Sequence, residues 1–310
     1  MGTTFPESAY NPVLAKAARE YIGLDNLEYP VTNHSPAEQA FREYEHERWE
    51  EQPERWAPLI NLEQLQARPN LEIEYYVPDF IPVGAKTILS GAPKCGKTIA
   101  LLHMLKAVTE GGTFLGKNCP PTRVLVLSEL TEMEFKRQVE EVPGLMGNKN
   151  FYVLLPEETP QHIRTWEDTI EFADKMLALT KSKILVIDTF GSLAKLPPGG
   201  ENDSATIQNT INRLNSLFKN RYLSIVLTHH NRKNNENTGG QSSSINSARG
   251  SSAFVGAAGN LIFMEALDKS TKRKFSFYGR YLNGVERSLY LDEGQYKEIP
   301  YSNFGAALKG

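Results

Sequence analysis

Residues 87–102 read T-I-L-S-G-A-P-K-C-G-K-T-I-A-L-L, and this stretch constrains the rest of the chain more than any other. A short apolar run enters a G-x-x-x-x-G-K-T loop, and a second apolar run leaves it with helical spacing. Such a loop turns successive backbone N–H groups onto phosphate oxygens, and the following helix N-terminus adds donors and a favourable dipole. The candidate phosphate-binding residues are therefore Gly91, Ala92, Pro93, Lys94, Cys95, Gly96, Lys97, Thr98 and Ile99. Lys97 has the charge to neutralise β- and γ-phosphates, and the Thr98 hydroxyl is placed to hold Mg²⁺. The expected ligands are ATP and Mg²⁺.

Downstream, apolar runs near 123–128, 151–155, 183–188 and 222–230 alternate with helical patterns over 131–141, 166–180 and 204–218. Near-continuous Ile, Leu and Val in strands separated by helices predicts an α/β fold, with a mainly parallel sheet covered by helices on both faces. In such sheets ligands sit beyond the C-terminal strand ends. The loop at 91–98, Glu129, Asp188 and His229 all fall there. Further strands are predicted over 260–265, 274–278 and 288–292.

Asp188, closing a β-branched run, has the position of a carboxylate that holds Mg²⁺ through water. Residue 189 is Thr rather than Glu, so a general base must come from elsewhere. Glu129, at the end of the strand after the phosphate-loop helix, is the candidate to orient and deprotonate an attacking water. His229 and His230 end the next strand. One of them is a candidate γ-phosphate sensor, and the strand end favours His229. The polar stretch 231–247 and the P-P-G-G run at 197–200 are candidate ligand-responsive loops. Arg249 and Arg280 are candidate arginine fingers acting on a neighbour's phosphate.

The 310 residues suffice for one α/β domain and a smaller appendage. Residues 1–70 hold 12 acids against 6 Lys and Arg, which leaves the other 240 residues at +3 of the chain's net −3. Over 59–82 the pattern changes to apolar, partly alternating segments with Pro69, Pro78 and Pro82, so an N-terminal extension is expected over 1–70 and an ATPase core over 71–310. Helices are predicted over 11–23 and 35–53, with faces too small for a core of their own, so docking on the core or on a neighbouring subunit is expected. From 232 onward 11 Lys and Arg face 7 Asp and Glu, a mild excess compatible with phosphate contacts. No apolar run approaches the ~18 residues that span a bilayer. The N-terminus lacks signal-peptide features, and Pro6 breaks a myristoylation pattern. With only Cys95 and Cys119, no disulfide framework exists, and a reducing cytoplasm is the expected setting.

Across residues 77–291 the chain resembles the RecA-like ring ATPases, most closely the RepA-like branch related to DnaB-type hexameric helicases. The resemblance rests on G-A-P-K-C-G-K-T at 91–98, G-G-T-F-L-G at 111–116, L-S-E at 127–129, V-I-D-T at 186–189, T-H-H at 228–230 and R-G-S-S-A at 249–253. It implies a RecA-like P-loop NTPase fold and ATP hydrolysis at the subunit interfaces of a homo-oligomeric, usually hexameric, ring. It further implies single-stranded DNA as partner. Two departures bear on this. DnaB-type enzymes carry Lys two residues before the finger arginine, where this chain has Tyr278, and residues 1–70 match no known helicase N-domain. A regulatory or recombinase-like ATPase, as in the KaiC and RadA relatives, is the alternative.

Overall fold

Along the strand Ile184–Asp188, Ile184 and Val186 belong to one apolar cluster while Leu185 and Ile187 belong to another. The strand Val124–Ser128 divides in the same way, Val124 and Val126 against Leu125 and Leu127. Successive side chains of a strand point to opposite faces, so a strand that is apolar at every position must be covered on both. The computed structural model shows that arrangement. It describes residues 62–67, 73–197, 200, 203–219, 223–230, 252–268 and 271–299.

The chain divides into two units, Met1–Glu72 and Ile73–Gly310. In the first, the described element is a short helix α1 (Leu62–Gln66), which exposes Leu62 and Leu65. The helices predicted over 11–23 and 35–53 lie outside the described residues.

The second unit begins with β1 (Tyr75–Val77), β2 (Ile81–Pro82) and β3 (Lys86–Gly91). The phosphate loop then leads into α2 (Lys97–Glu110). The G-G-T-F-L-G run forms a small hairpin, β4 (Thr113–Phe114) and β5 (Lys117–Asn118). Next come β6 (Val124–Ser128), α3 (Glu132–Glu140), β7 (Phe151–Leu154), α4 (Trp166–Thr180), β8 (Ile184–Asp188) and the one-turn α5 (Phe190–Leu193). α6 (Ser204–Arg213) passes into a tighter 3₁₀ segment, Leu214–Lys219, where one helix is predicted over 204–218. β9 (Ser224–His230), α7 (Ser252–Ala257), β10 (Asn260–Ala266), β11 (Lys272–Gly279), β12 (Val285–Asp292) and β13 (Gln295–Glu298) complete it.

Nine strands form one sheet in the order β13-β12-β11-β10-β3-β9-β8-β6-β7. From β10 through β3, β9, β8 and β6 to β7 every pairing is parallel. β10 to β13 pair antiparallel. The fold is thus α/β with a mainly parallel sheet, as predicted, and the antiparallel C-terminal meander reverses the direction of β11. That reversal matters for the arginines described below.

α3 and α4 begin with capping boxes, Thr131 with Glu134 and Thr165 with Asp168, and Asp203 caps α6. These caps satisfy first-turn N–H groups from within the chain. α2 begins differently: its cap is Gly96 at φ 94°, with no side-chain cap bond.

Candidate active site

Strand register brings the predicted features to one edge. Gly91 of β3 lies opposite His230 of β9, and Ser128 of β6 lies opposite Asp188 of β8. The phosphate loop leaves β3 at this edge. Its course depends on left-handed backbone at Lys94 and Gly96, conformations that glycine adopts at low cost. Gly91 is fixed by packing instead: a Cβ there would come within 2.4 Å of the Met264 carbonyl oxygen. Ala92, Pro93 and Lys94 are exposed, whereas Cys95 is buried, its Sγ 3.8 Å from the same carbonyl. Ile99 is half-buried and packs on the core at the start of α2.

Lys97 is buried, and its Nζ donates to the carbonyls of Gly91 at 3.0 Å and Ala92 at 2.9 Å. Burial lowers its pKa, while Cys95 and Asp188 act in the opposite direction. The ammonium is therefore tied to the carbonyls with which the loop begins.

Asp188 is buried between two hydroxyls. Thr98 Oγ1 donates to its Oδ2 at 2.9 Å, and Thr228 Oγ1 donates to its Oδ1. Burial raises its pKa against the two hydroxyl bonds, and the Glu129 charge pushes the same way. A buried carboxylate with this bias is stabilised by a cation. The adjoining Thr98 hydroxyl and Asp188 carboxylate are hard oxygen donors of the kind that bind Mg²⁺ together with waters and substrate phosphates. The donor set fits that ion, and Thr98 and Asp188 are the residues that would hold it.

Glu129 follows β6 and is half-buried. Its backbone N–H donates to the Asp188 carbonyl at 2.8 Å, which ties it to the end of β8. Thr189 Oγ1 donates to its Oε2 at 3.0 Å. Sequence reading registered Thr189 only as a missing Glu. The structure makes it the residue that orients Glu129, and the Asp188–Thr189 peptide is cis. No motif spacing signals this contact, because it joins the ends of two strands that are neighbours only in the sheet.

The histidines separate differently from the expectation that favoured His229. His229 is buried, with its ring 4.3 Å from that of Phe254 in α7. Burial, with smaller contributions from His230 and Lys97, lowers its pKa to about 4. His230 is the histidine on the phosphate loop, its Nδ1 3.0 Å from Lys97 Nζ. Side-chain alternation along β9 accounts for the split, since adjacent residues cannot share a face.

Arg280 lies at the other edge of the sheet. β11 runs antiparallel to β10, so Gly279 pairs with Asn260, which itself pairs with Thr87 at the start of β3. Arg280 is exposed there, and its charge acts on Lys86. It does not join the phosphate loop of its own chain. Arg249 and the 231–247 stretch lie outside the described residues, as do Pro198 and Gly199 of the 197–200 run.

No curated protein matches the chain. The family model AAA_25, described as an AAA domain, matches residues 52–236, which is more than half of the sequence. With a phosphate loop, a buried Asp188 and Glu129 at one edge of a mainly parallel sheet, the chain belongs to this family of P-loop ATPase-type AAA domains.

Proposed function

We propose that this protein is an Mg²⁺-dependent ATPase of the RecA type, working as a homo-oligomeric ring on single-stranded DNA in the manner of the RepA and DnaB branch. The observation that carries the hydrolytic part is the convergence of Thr98, Asp188 and Glu129, tied by hydrogen bonds from Thr98 to Asp188 and from the Glu129 backbone to the Asp188 carbonyl. In this reading the phosphate loop binds the triphosphate, and Thr98 and Asp188 would hold Mg²⁺, which would supply charge stabilisation to the transferred phosphoryl group. Glu129, oriented by Thr189, takes the proton of the attacking water. His230, on Lys97, is placed to register loss of the γ-phosphate. The exposure of Arg280 at the opposite sheet edge supports a role toward a neighbouring subunit rather than its own nucleotide. The DNA and ring assignments rest on the sequence resemblance. Among the described residues no helix is long and apolar enough to cross a membrane.

The test is the ATPase rate of the full chain with and without single-stranded DNA, run beside the native mass of the nucleotide-bound state. Stimulation and a ring are expected. Hydrolysis without either overturns the motor and favours a regulatory ATPase. A Lys97→Ala protein that still hydrolyses ATP overturns the site.

A further inference from the structure

The meander that carries Arg280 away from the phosphate loop carries another arginine to it. Met264 of β10 pairs with Gly91, and Arg273 of β11 pairs with Ala266, two residues further along β10. Arg273 thereby reaches the edge where the loop begins. A Cβ placed on Gly96 would lie 3.2 Å from Nε, 3.4 Å from Nη2 and 3.7 Å from Cζ of Arg273. Contact with three guanidinium atoms means that the group lies along the loop at Gly96.

This is an unfavourable place for a cation considered alone. Gly96 caps α2, whose N-terminus carries the positive end of the helix dipole, and Lys97 is the next residue. The Arg273 side chain is 13% exposed. Its Nη1 donates to the Lys272 carbonyl at 2.9 Å and forms an ion pair with Asp268 Oδ1 at 3.6 Å. The same Asp268 oxygen accepts the Lys272 N–H at 2.9 Å. The Arg273 charge also bears on Tyr296, opposing the rise that burial gives the phenol. Asp268 offsets part of this charge, and two basic side chains and a helix N-terminus around one glycine still concentrate positive potential that a polyanion relieves.

We infer that Arg273 is a positioning residue for the nucleotide phosphates: it braces Gly96 from outside the loop and adds positive potential that the bound triphosphate offsets. The inference rests on the reading that this loop binds ATP. It adds to the backbone angle a second reason for glycine at 96, since a Cβ 3.2 Å from Nε would press on the guanidinium. It also separates two quantities that a merely structural arginine would move together. Removing the charge should weaken nucleotide binding by more than any loss of nucleotide-free stability from the Lys272 and Asp268 contacts.

The experiment compares the full-length wild type with Arg273→Met and Arg273→Lys. Equilibrium binding of ATP and ADP is measured over a series of salt concentrations, and denaturation midpoints are measured with and without ATP. Arg273→Met is expected to weaken ATP binding about tenfold and flatten its salt dependence, as loss of one charge near phosphate should. Any fall in its midpoint without nucleotide, from the lost Lys272 and Asp268 contacts, should be smaller than the loss of affinity. Arg273→Lys should recover most of the affinity. Wild-type binding matched by Arg273→Met overturns the inference alone. So does a fall in nucleotide-free stability that parallels the loss of affinity. A wild type that binds neither nucleotide overturns the reading of the loop and this inference with it.

Discussion

Thr98 Oγ1 donates to Asp188 Oδ2 across 2.9 Å, joining the first turn of the phosphate-loop helix to the end of a strand 90 residues away. Removing either oxygen should raise the Mg²⁺ requirement of the enzyme. Asp188→Asn keeps the volume and lets Thr228 retain a partner, so the protein should fold. Its hydrolysis should nevertheless fall on the order of a hundredfold or more, the scale of losing metal-held charge stabilisation. Thr98→Ser should stay close to wild type and Thr98→Val should not. Mg²⁺ titration of ATPase activity checks all three; equal titration curves would remove Thr98 and Asp188 from the metal.

Glu129→Gln preserves the acceptor for Thr189 but cannot take a proton. Turnover should drop by about 10²–10⁴-fold with ATP affinity retained. Thr189→Val should give a smaller loss, about tenfold, since one hydrogen bond to a charged group is removed and the base itself remains. Single-turnover rates and equilibrium binding on the same preparations distinguish the two effects. Unchanged turnover in Glu129→Gln would assign the base to another residue.

The two histidines should fail differently. His229→Ala opens a gap beside Phe254 and should cost about 2 kcal/mol of stability by denaturant titration. His230→Ala is at an exposed position, so its stability should stay near that of wild type while ATP turnover changes. The reverse pattern would restore His229 as the residue facing the nucleotide.

His103, in the middle of α2, gives the fold an acid-sensitive point away from the phosphates. It is buried, its ring packs edge-on against Tyr296 at 5.2 Å, and among the described residues its Nε2 has no hydrogen-bond partner. Burial, with the nearby Lys106 charge, lowers its pKa from 6.5 to about 4. Below about pH 6.5 the unfolded chain therefore binds a proton that the folded chain refuses until about pH 4. Stability should fall as pH falls through this window, by on the order of 2 kcal/mol from this group at pH 5. His103→Phe keeps a ring against Tyr296, and its stability difference between pH 7 and pH 5 should be smaller by that amount. Identical pH dependence in the two proteins would refute the assignment.

The parallel part of the sheet was legible because β6 and β8 are apolar at every position but the last and β9 has a continuous Ile-Val-Leu centre, a pattern that suits strands covered twice. Their acidic or histidine ends then placed Glu129, Asp188 and the His pair at one edge. The short pairs β1–β2 and β4–β5 gave no such signal. Strands of two or three residues are fixed by their turns and by what they pack on, as Phe80 and Phe114 do edge to face at 5.3 Å. β13 lacks a sequence signal for a similar reason: Gln-Tyr-Lys-Glu has one buried side chain, Tyr296, and the strand is set by the tight turn that folds it back on β12.

What the sequence by itself determined is local chemistry: a glycine loop that cradles phosphate, a hydroxyl after its lysine, and acids at the ends of buried strands. Each is set by residues adjacent in the chain. Tertiary structure decided everything that depends on strand direction or on contact across the sheet. It turned His229 into the core and left His230 on Lys97, gave Thr189 to Glu129, and sent Arg280 to the far edge while bringing Arg273 against Gly96. For the histidines the physical reason is side-chain alternation along β9, and for Thr189 it is the pairing of β6 with β8. For the two arginines it is the antiparallel meander after β10, which exchanges the two ends of β11. No single strand records in its own residues which neighbour it will pair with or which way it will run.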